Sequence, residues 1–208
     1  MSLALKQEQD QGRARVNPLV VKRNFTYKDY LAWPDDVRAE IINGIAYMMG
    51  QPSTSHQRVS MQLSLLFASF LKGKTCQVFA APFGVRLFPK EDRTDDTVVE
   101  PDIVVICDPS KIDEQGCNGA PDLVIEILSP SSKRRDKYLK RDLYQKAGVR
   151  EYWIVSADEK EIEVHLFETK TIKNYAINEP ETPDDELLPE IVPVFTLPGL
   201  EIDVKDLF

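Results

Sequence analysis

Apolar and polar positions change rhythm several times along this chain, and each rhythm predicts an element. Residues 1–24 are polar and aperiodic and read as a flexible arm, leaving residues 25–208 as one domain. Thr26 can cap a short helix over 26–33 that Pro34 ends. Residues 38–49 read as two short strands around Asn43-Gly44, a dipeptide suited to a two-residue hairpin turn. Beyond the cap residues Ser53, Thr54 and Ser55, the positions Val59, Leu63, Leu66, Phe67 and Phe70 follow helical spacing to about residue 71, and Gly73 supplies the stop. Residues 75–89 read as strand and the charged stretch 89–97 as an exposed loop.

Two later runs, 98–106 and 121–128, are apolar almost without alternation, the pattern of strands covered on both faces. A polar connection with Gly116 and Gly119 separates them. After Ser129-Pro130-Ser131-Ser132 a helix is predicted over about 133–147, stopped at Gly148. Residues 151–156 and 161–167 read as consecutive strands. The tail, marked by Pro183, Pro189, Pro193 and Pro198, is expected to be extended, with 192–195 as an edge strand. The mixed order implies an α/β domain built on a central mixed sheet.

Composition narrows the class. At 208 residues and 42% hydrophobic content the chain can bury a sizeable core. No run approaches the roughly 20 apolar residues of a membrane span, and the first ten residues lack the apolar core of a signal peptide. Cys76, Cys107 and Cys117 are odd in number with no close-spaced pair, which argues against a disulfide framework or a zinc site and for a reducing cytoplasm. The net charge of −8 argues against coating nucleic acid by bulk electrostatics, but residues 133–150 hold eight basic residues against two acidic ones, a local +6. Within that patch Lys133, Arg134, Arg135, Lys137 and Arg141 are candidate contacts for a polyanion, or a solvated helix face.

The candidate chemistry lies where the apolar runs are broken by charge. Asp102 falls in the first run and Glu126 in the second, and charge at such positions is costly unless paired or metal-bound. Strand alternation puts Glu100, Asp102 and Val104 on one face, and Val124, Glu126 and Leu128 on one face of the next strand. If the strands are neighbours, Asp102 and Glu126 can converge on one hard cation such as Mg²⁺, with Mn²⁺ as a substitute. The alternative for each acid is a strand-end residue with a surface partner. On a helix turning about 100° per residue, Lys140 lies within the stripe of Asp136, Leu143, Tyr144 and Ala147, while Arg134, Lys137 and Arg141 point elsewhere. Lys140 is then either a snorkelling side chain or an ammonium that orients an attacking water, with Asp136 as its neighbour one turn away. Glu40 is a further candidate acid. His56, in the first turn of its helix, is a candidate base, phosphate contact or ligand, or a structural hydrogen-bonding residue. His165 reads as an exposed strand residue, and Tyr152 and Trp153 as packing.

Pro101-Asp102, the run Glu126-Ile127-Leu128-Ser129-Pro130-Ser131-Ser132, then Asp136, Lys140, Tyr144 and Gly148-Val149-Arg150-Glu151-Tyr152-Trp153-Ile154-Val155 resemble the Uma family. These are restriction-endonuclease-like proteins within the PD-(D/E)XK nuclease superfamily. Ala39-Glu40-Ile41-Ile42-Asn43-Gly44 and Ser53-Thr54-Ser55-His56-Gln57-Arg58-Val59 resemble the family's N-terminal half, so the likeness spans about residues 25–200. It implies a restriction-endonuclease-like mixed sheet flanked by helices, preceded by an N-terminal hairpin, with Asp102 and Glu126 as metal ligands and DNA rather than RNA as substrate. Leu128 stands where the superfamily pattern has a lysine, and the helix stripe independently selects Lys140 as the relocated one.

The leading expectation is therefore a cytoplasmic, Mg²⁺-dependent endonuclease with Asp102, Glu126 and Lys140 as catalytic residues. A homodimer is expected because cutting both strands of a duplex takes two sites. The rival readings are a catalytically inactive nuclease fold that binds nucleic acid or protein, and a structural ion-pair network.

Overall fold

The computed structural model describes residues 24–34, 36–178 and 187–208, so the predicted arm over 1–23 and most of the acidic stretch after Asn178 lie outside the described residues. Helix α1 (Tyr27–Leu31) is closed by a capping box between Thr26 and Asp29. Strands β1 (Ala39–Ile42) and β2 (Ile45–Met48) form the expected hairpin, with Asn43 and Gly44 both at positive φ, as a type I′ turn requires. Helix α2 (Thr54–Leu71) begins at Ser53, whose side chain accepts from the His56 amide, and buries Val59, Leu63, Phe67 and Leu71.

The single strand expected over 75–89 is instead two, β3 (Gln77–Ala80) and β4 (Val85–Arg86), in different sheets. Pro82 lies between them and has no N–H to give a ladder. The apolar run 98–106 breaks in the same way into β5 (Val98–Val99) and β6 (Ile103–Ile106), interrupted at Pro101. Apolarity carried no mark of that change of sheet. The connection after β6 holds two short strands, β7 (Ile112–Asp113) and β8 (Gly116–Asn118). Strand β9 (Leu123–Ile127) follows, then a π-helix over Arg135–Lys140 that passes into α3 (Arg141–Ala147). Gly148, at φ 95°, takes the left-handed conformation that ends α3.

Strands β10 (Glu151–Ser156), β11 (Glu161–Leu166) and β12 (Thr171–Ala176) form a meander, of which β12 was not anticipated. The tail is not an extended appendage: β13 (Ile191–Pro193) pairs with β14 (Glu201–Asp203), and Val192, Val194, Leu197, Ile202 and Val204 are buried in the main core.

The central sheet has the order β12-β11-β10-β9-β6-β3, with β9 and β10 parallel and the other pairs antiparallel, which bears out the mixed sheet. A second sheet runs β2-β1-β5-β4-β8-β7. Along β9 the side chains alternate as the pleat demands. Leu123, Ile125 and Ile127 join the cluster under α2, whereas Val124 joins the cluster with Leu143, Tyr144 and Tyr152 under α3. Glu126 shares the Val124 face. Among the described residues no helix is long and apolar enough to cross a membrane.

Expectations about the cysteines and the charged loop fail. Cys76 and Cys107 form a disulfide. The register Gln77↔Ile106 between β3 and β6 sets them opposite one another one step beyond the ladder, a pairing that spacing along the chain does not reveal. The inference of a reducing compartment loses its premise, while Cys117 is free and buried. The loop before β5 is charged but not wholly exposed, because Asp95 is 1% exposed and held by two hydrogen bonds from the Arg86 guanidinium.

Candidate active site

Glu126 enters from the middle of the central sheet, opposite Ile154 on β10. Its Oε1 accepts from the Tyr144 hydroxyl at 2.6 Å and lies 2.5 Å from Lys140 Nζ. Burial pushes the Glu126 carboxyl well above the usual range, and the charges of Asp136, Asp102 and Glu40 add to the rise against the pull of Lys140. Burial likewise lifts the Tyr144 hydroxyl, which stays a donor.

Lys140 closes the π-helix and is 2% exposed, so it does not snorkel. Its ammonium also donates to Glu40 Oε1 at 2.6 Å and lies 3.9 Å from Asp136 Oδ1. Burial alone would lower its pKa, but Glu126, Glu40 and Asp136 outweigh that and raise it. Glu40 comes from β1 in the second sheet, and its Oε1 also accepts the Glu100 amide at 3.1 Å. Its Oε2 faces Arg135 Nε at 3.6 Å without a hydrogen bond. Asp136 is buried, with Oδ1 lacking a hydrogen bond among the described residues.

Asp102 stands just before β6. Its Oδ2 accepts the Ile127 amide at 2.7 Å, one residue beyond Glu126, and lies 3.2 Å from His56 Nε2. The His56 ring, carried by the first turn of α2, is pushed down by burial and up by the hydrogen bond and charge of Asp102, with a net rise. Glu100 does not share a face with Asp102 as strand alternation predicted. It is held by Tyr30 and Arg38, because both acids lie in the break between β5 and β6, where strand alternation does not apply.

The structure thus gathers Asp102, Glu126, Lys140, Glu40, Asp136 and His56 around the ends of β6 and β9. Of the basic residues, Arg135 turns inward to Glu40 and Tyr47, while Lys133 pairs with Glu159 and Arg141 with Asp142. His165, expected to be exposed, is 4% exposed and bound to Glu163. Tyr152 and Trp153 are packing residues, as expected. The sequence reading gave Tyr144 no role at the site, although its place one turn after Lys140 on the same stripe was the available signal.

Among the described residues no group of three or more His, Cys, Asp or Glu is already gathered to hold a metal ion, since the Lys140 ammonium stands between the acids. The donor set still suits a hard cation. Asp102 Oδ1 and Glu126 Oε2 take no hydrogen bond among the described residues. Two carboxylate oxygens, completed by water and substrate, are a sufficient protein share for Mg²⁺.

A mixed sheet flanked by helices, with this order of elements, is the restriction-endonuclease-like fold. The likeness is measured against the crystal structure of a putative nuclease belonging to DUF820 from Anabaena variabilis ATCC 29413. The two superpose with a TM-score of 0.65 over 88% of this chain and 97% of that one, at 24% sequence identity, a likeness of fold. The chain belongs to the Uma2 family, described as "Putative restriction endonuclease", whose pattern matches residues 27–204. An uncharacterized protein of Synechocystis sp. is 30% identical over 141 residues, covering 66% of this chain and 72% of that protein. Families of this fold are typically metal-dependent and act on nucleic acid.

Proposed function

We propose that this protein is a metal-dependent endonuclease that hydrolyses phosphodiester bonds, DNA in preference to RNA, at Glu126, Asp102 and Lys140. The observation that carries the reading is the convergence of Asp102 on Glu126, Asp102 accepting the amide of Ile127, one residue beyond Glu126, with the buried Lys140 ammonium alongside. Asp102 and Glu126 would hold Mg²⁺ or Mn²⁺, which when bound supplies a Lewis acid for the phosphate and lowers the pKa of a coordinated water.

The chain's own groups do the rest. Tyr144 fixes the Glu126 carboxylate through Oε1 and leaves Oε2 free. His56 and the Ile127 amide fix Asp102 through Oδ2. Because its pKa is raised, Lys140 acts as a donor and a fixed charge rather than a base. It orients the attacking water and offsets charge developing on the phosphate. Glu40 and Asp136 hold the ammonium on its inner side. Cleavage of both strands of a duplex would take two such sites, hence a homodimer.

Asp102→Ala, Glu126→Ala and Lys140→Ala are each expected to abolish Mg²⁺- or Mn²⁺-dependent cleavage of DNA while the far-ultraviolet dichroism is kept. Equal cleavage by the wild type and all three variants would sink the assignment.

One observation favours a second reading, a nucleic-acid- or protein-binding module without turnover: Lys140 already neutralises Glu126 where a cation is needed. Calorimetric titration with Mn²⁺ separates the two. An enzyme binds the ion through Asp102 and loses it in Asp102→Ala, whereas a binding module takes up no heat in either form.

A further inference from the structure

A cleft of about 220 Å³ opens between α3 and the β11–β12 turn, lined by Arg141, Gln145, His165, Phe167, Lys170 and Ile172 among others. It lies on the same face of the central sheet as Glu126, since the His165 and Phe167 rings pack against Tyr152, which belongs to the cluster under α3. Leu166 is level with Glu151, three residues along β10 from Ile154, the partner of Glu126. At about 3.3 Å per residue and about 4.8 Å per strand, the cleft is about 14 Å from the carboxylate. That is a few nucleotides of strand.

The lining has no carboxylate. Arg141 pairs with the neighbouring Asp142, and His165 with Glu163. Lys170 has no ion pair among the described residues. Arg141 joins the cleft to the helix that also carries Lys137; after the hydrogen bond and charge of His165, the charges of Lys137 and Arg141 help hold the Glu163 carboxyl below its usual range. Small-molecule pockets run to roughly 300–1,000 Å³, so an open cleft of this size fits a segment of a polymer better than a discrete ligand. Ile172 (57% exposed) at its edge, and Tyr138 (59% exposed) beside Arg141 on the helix, offer flat or apolar surfaces that sequence-tolerant strand binders use for bases.

We propose that this cleft grips the phosphodiester backbone of a single nucleic-acid strand passing from the Glu126 site along the Lys137–Arg141 stripe to Lys170. The proposal rests on the nuclease reading for its substrate class, but its test does not need turnover. Binding of a fluorescein-labelled oligodeoxythymidine is followed by anisotropy in EDTA over a salt series. Lys170→Glu is expected to weaken binding about tenfold and to lower the slope of log affinity against log salt by about one, with Lys170→Gln intermediate. Lys72→Glu, at the end of α2 on the opposite face, carries the same charge change and is expected to bind as the wild type.

Unchanged binding by Lys170→Glu, or equal weakening by Lys72→Glu, would overturn the cleft. Weakened strand binding without any metal-dependent cleavage by the wild type would leave the cleft standing and remove the nuclease reading. Metal-dependent cleavage with binding indifferent to Lys170 would do the reverse.

Discussion

Lys140 is one positive charge set among Glu40, Glu126 and Asp136, with Arg135 beside Glu40 as a further cation. The cluster is short of positive charge, and buried acids in that position draw in either a proton or a metal. Burial makes the arrangement asymmetric. Removing the lysine leaves three carboxylates uncompensated, whereas removing one carboxylate leaves the lysine two partners. Lys140→Met is therefore expected to cost about 3–5 kcal/mol in urea denaturation without metal, and Glu126→Gln distinctly less. Equal losses would make Lys140 and Glu126 an exclusive structural pair and remove the case for a cation site. This residue was legible because a lysine on an apolar helix stripe breaks a pattern. Glu40 was legible only as a stray acid, since nothing in the chain says that the second sheet delivers it to the same ammonium.

The helix that carries Lys140 shows how a local period can mislead and still give the right answer. A count at about 100° per residue assumes i→i−4 hydrogen bonds throughout, yet residues Arg135–Lys140 form a π-helix. Asp136 and Lys140 still face inward together because both are fixed from outside the helix, Lys140 by Glu40 and Glu126, and the Asp136 carbonyl by the Tyr152 hydroxyl. Single π turns within α-helices hold an extra residue at some energetic cost and recur at functional sites. Deleting the exposed Tyr138 is expected to give a regular helix with Leu143 and Tyr144 still packed, at a lower melting temperature because the buried ion-pair cluster is disturbed. The same deletion is expected to reduce the metal-dependent cleavage by turning Arg135 and Asp136 away from the Lys140–Glu40 cluster. Retained cleavage in the deletion variant would show that the π turn has no part in aligning the site. The strand elements were readable for the converse reason: β9, β10 and β11 are uninterrupted, whereas Pro82 and Pro101 divide runs whose apolarity continues across a change of sheet.

At the scale of the whole molecule, the site depends on two sheets and two helices holding their places, and the Cys76–Cys107 bond ties one edge of that assembly. It joins the chain entering β3, the edge strand of the central sheet, to the chain leaving β6. Asp102 precedes β6, at the other end of that strand, and is held independently by His56 and the Ile127 amide. The bond closes a separation of 31 residues, for which the chain-entropy estimate is about 3–4 kcal/mol. Reduction should therefore act on stability and leave the chemistry alone. Thermal melts with dithiothreitol are expected to fall below those without it, and the Cys76→Ser/Cys107→Ser double variant to melt like the reduced wild type and ignore the reductant. Amide exchange should quicken first in β3, where only one neighbouring strand remains to protect the edge, while metal-dependent cleavage persists below the new melting point. Identical melts with and without reductant would mean that strand pairing alone holds this edge; cleavage lost on reduction would mean that the β3–β6 edge is part of what keeps Asp102 in place.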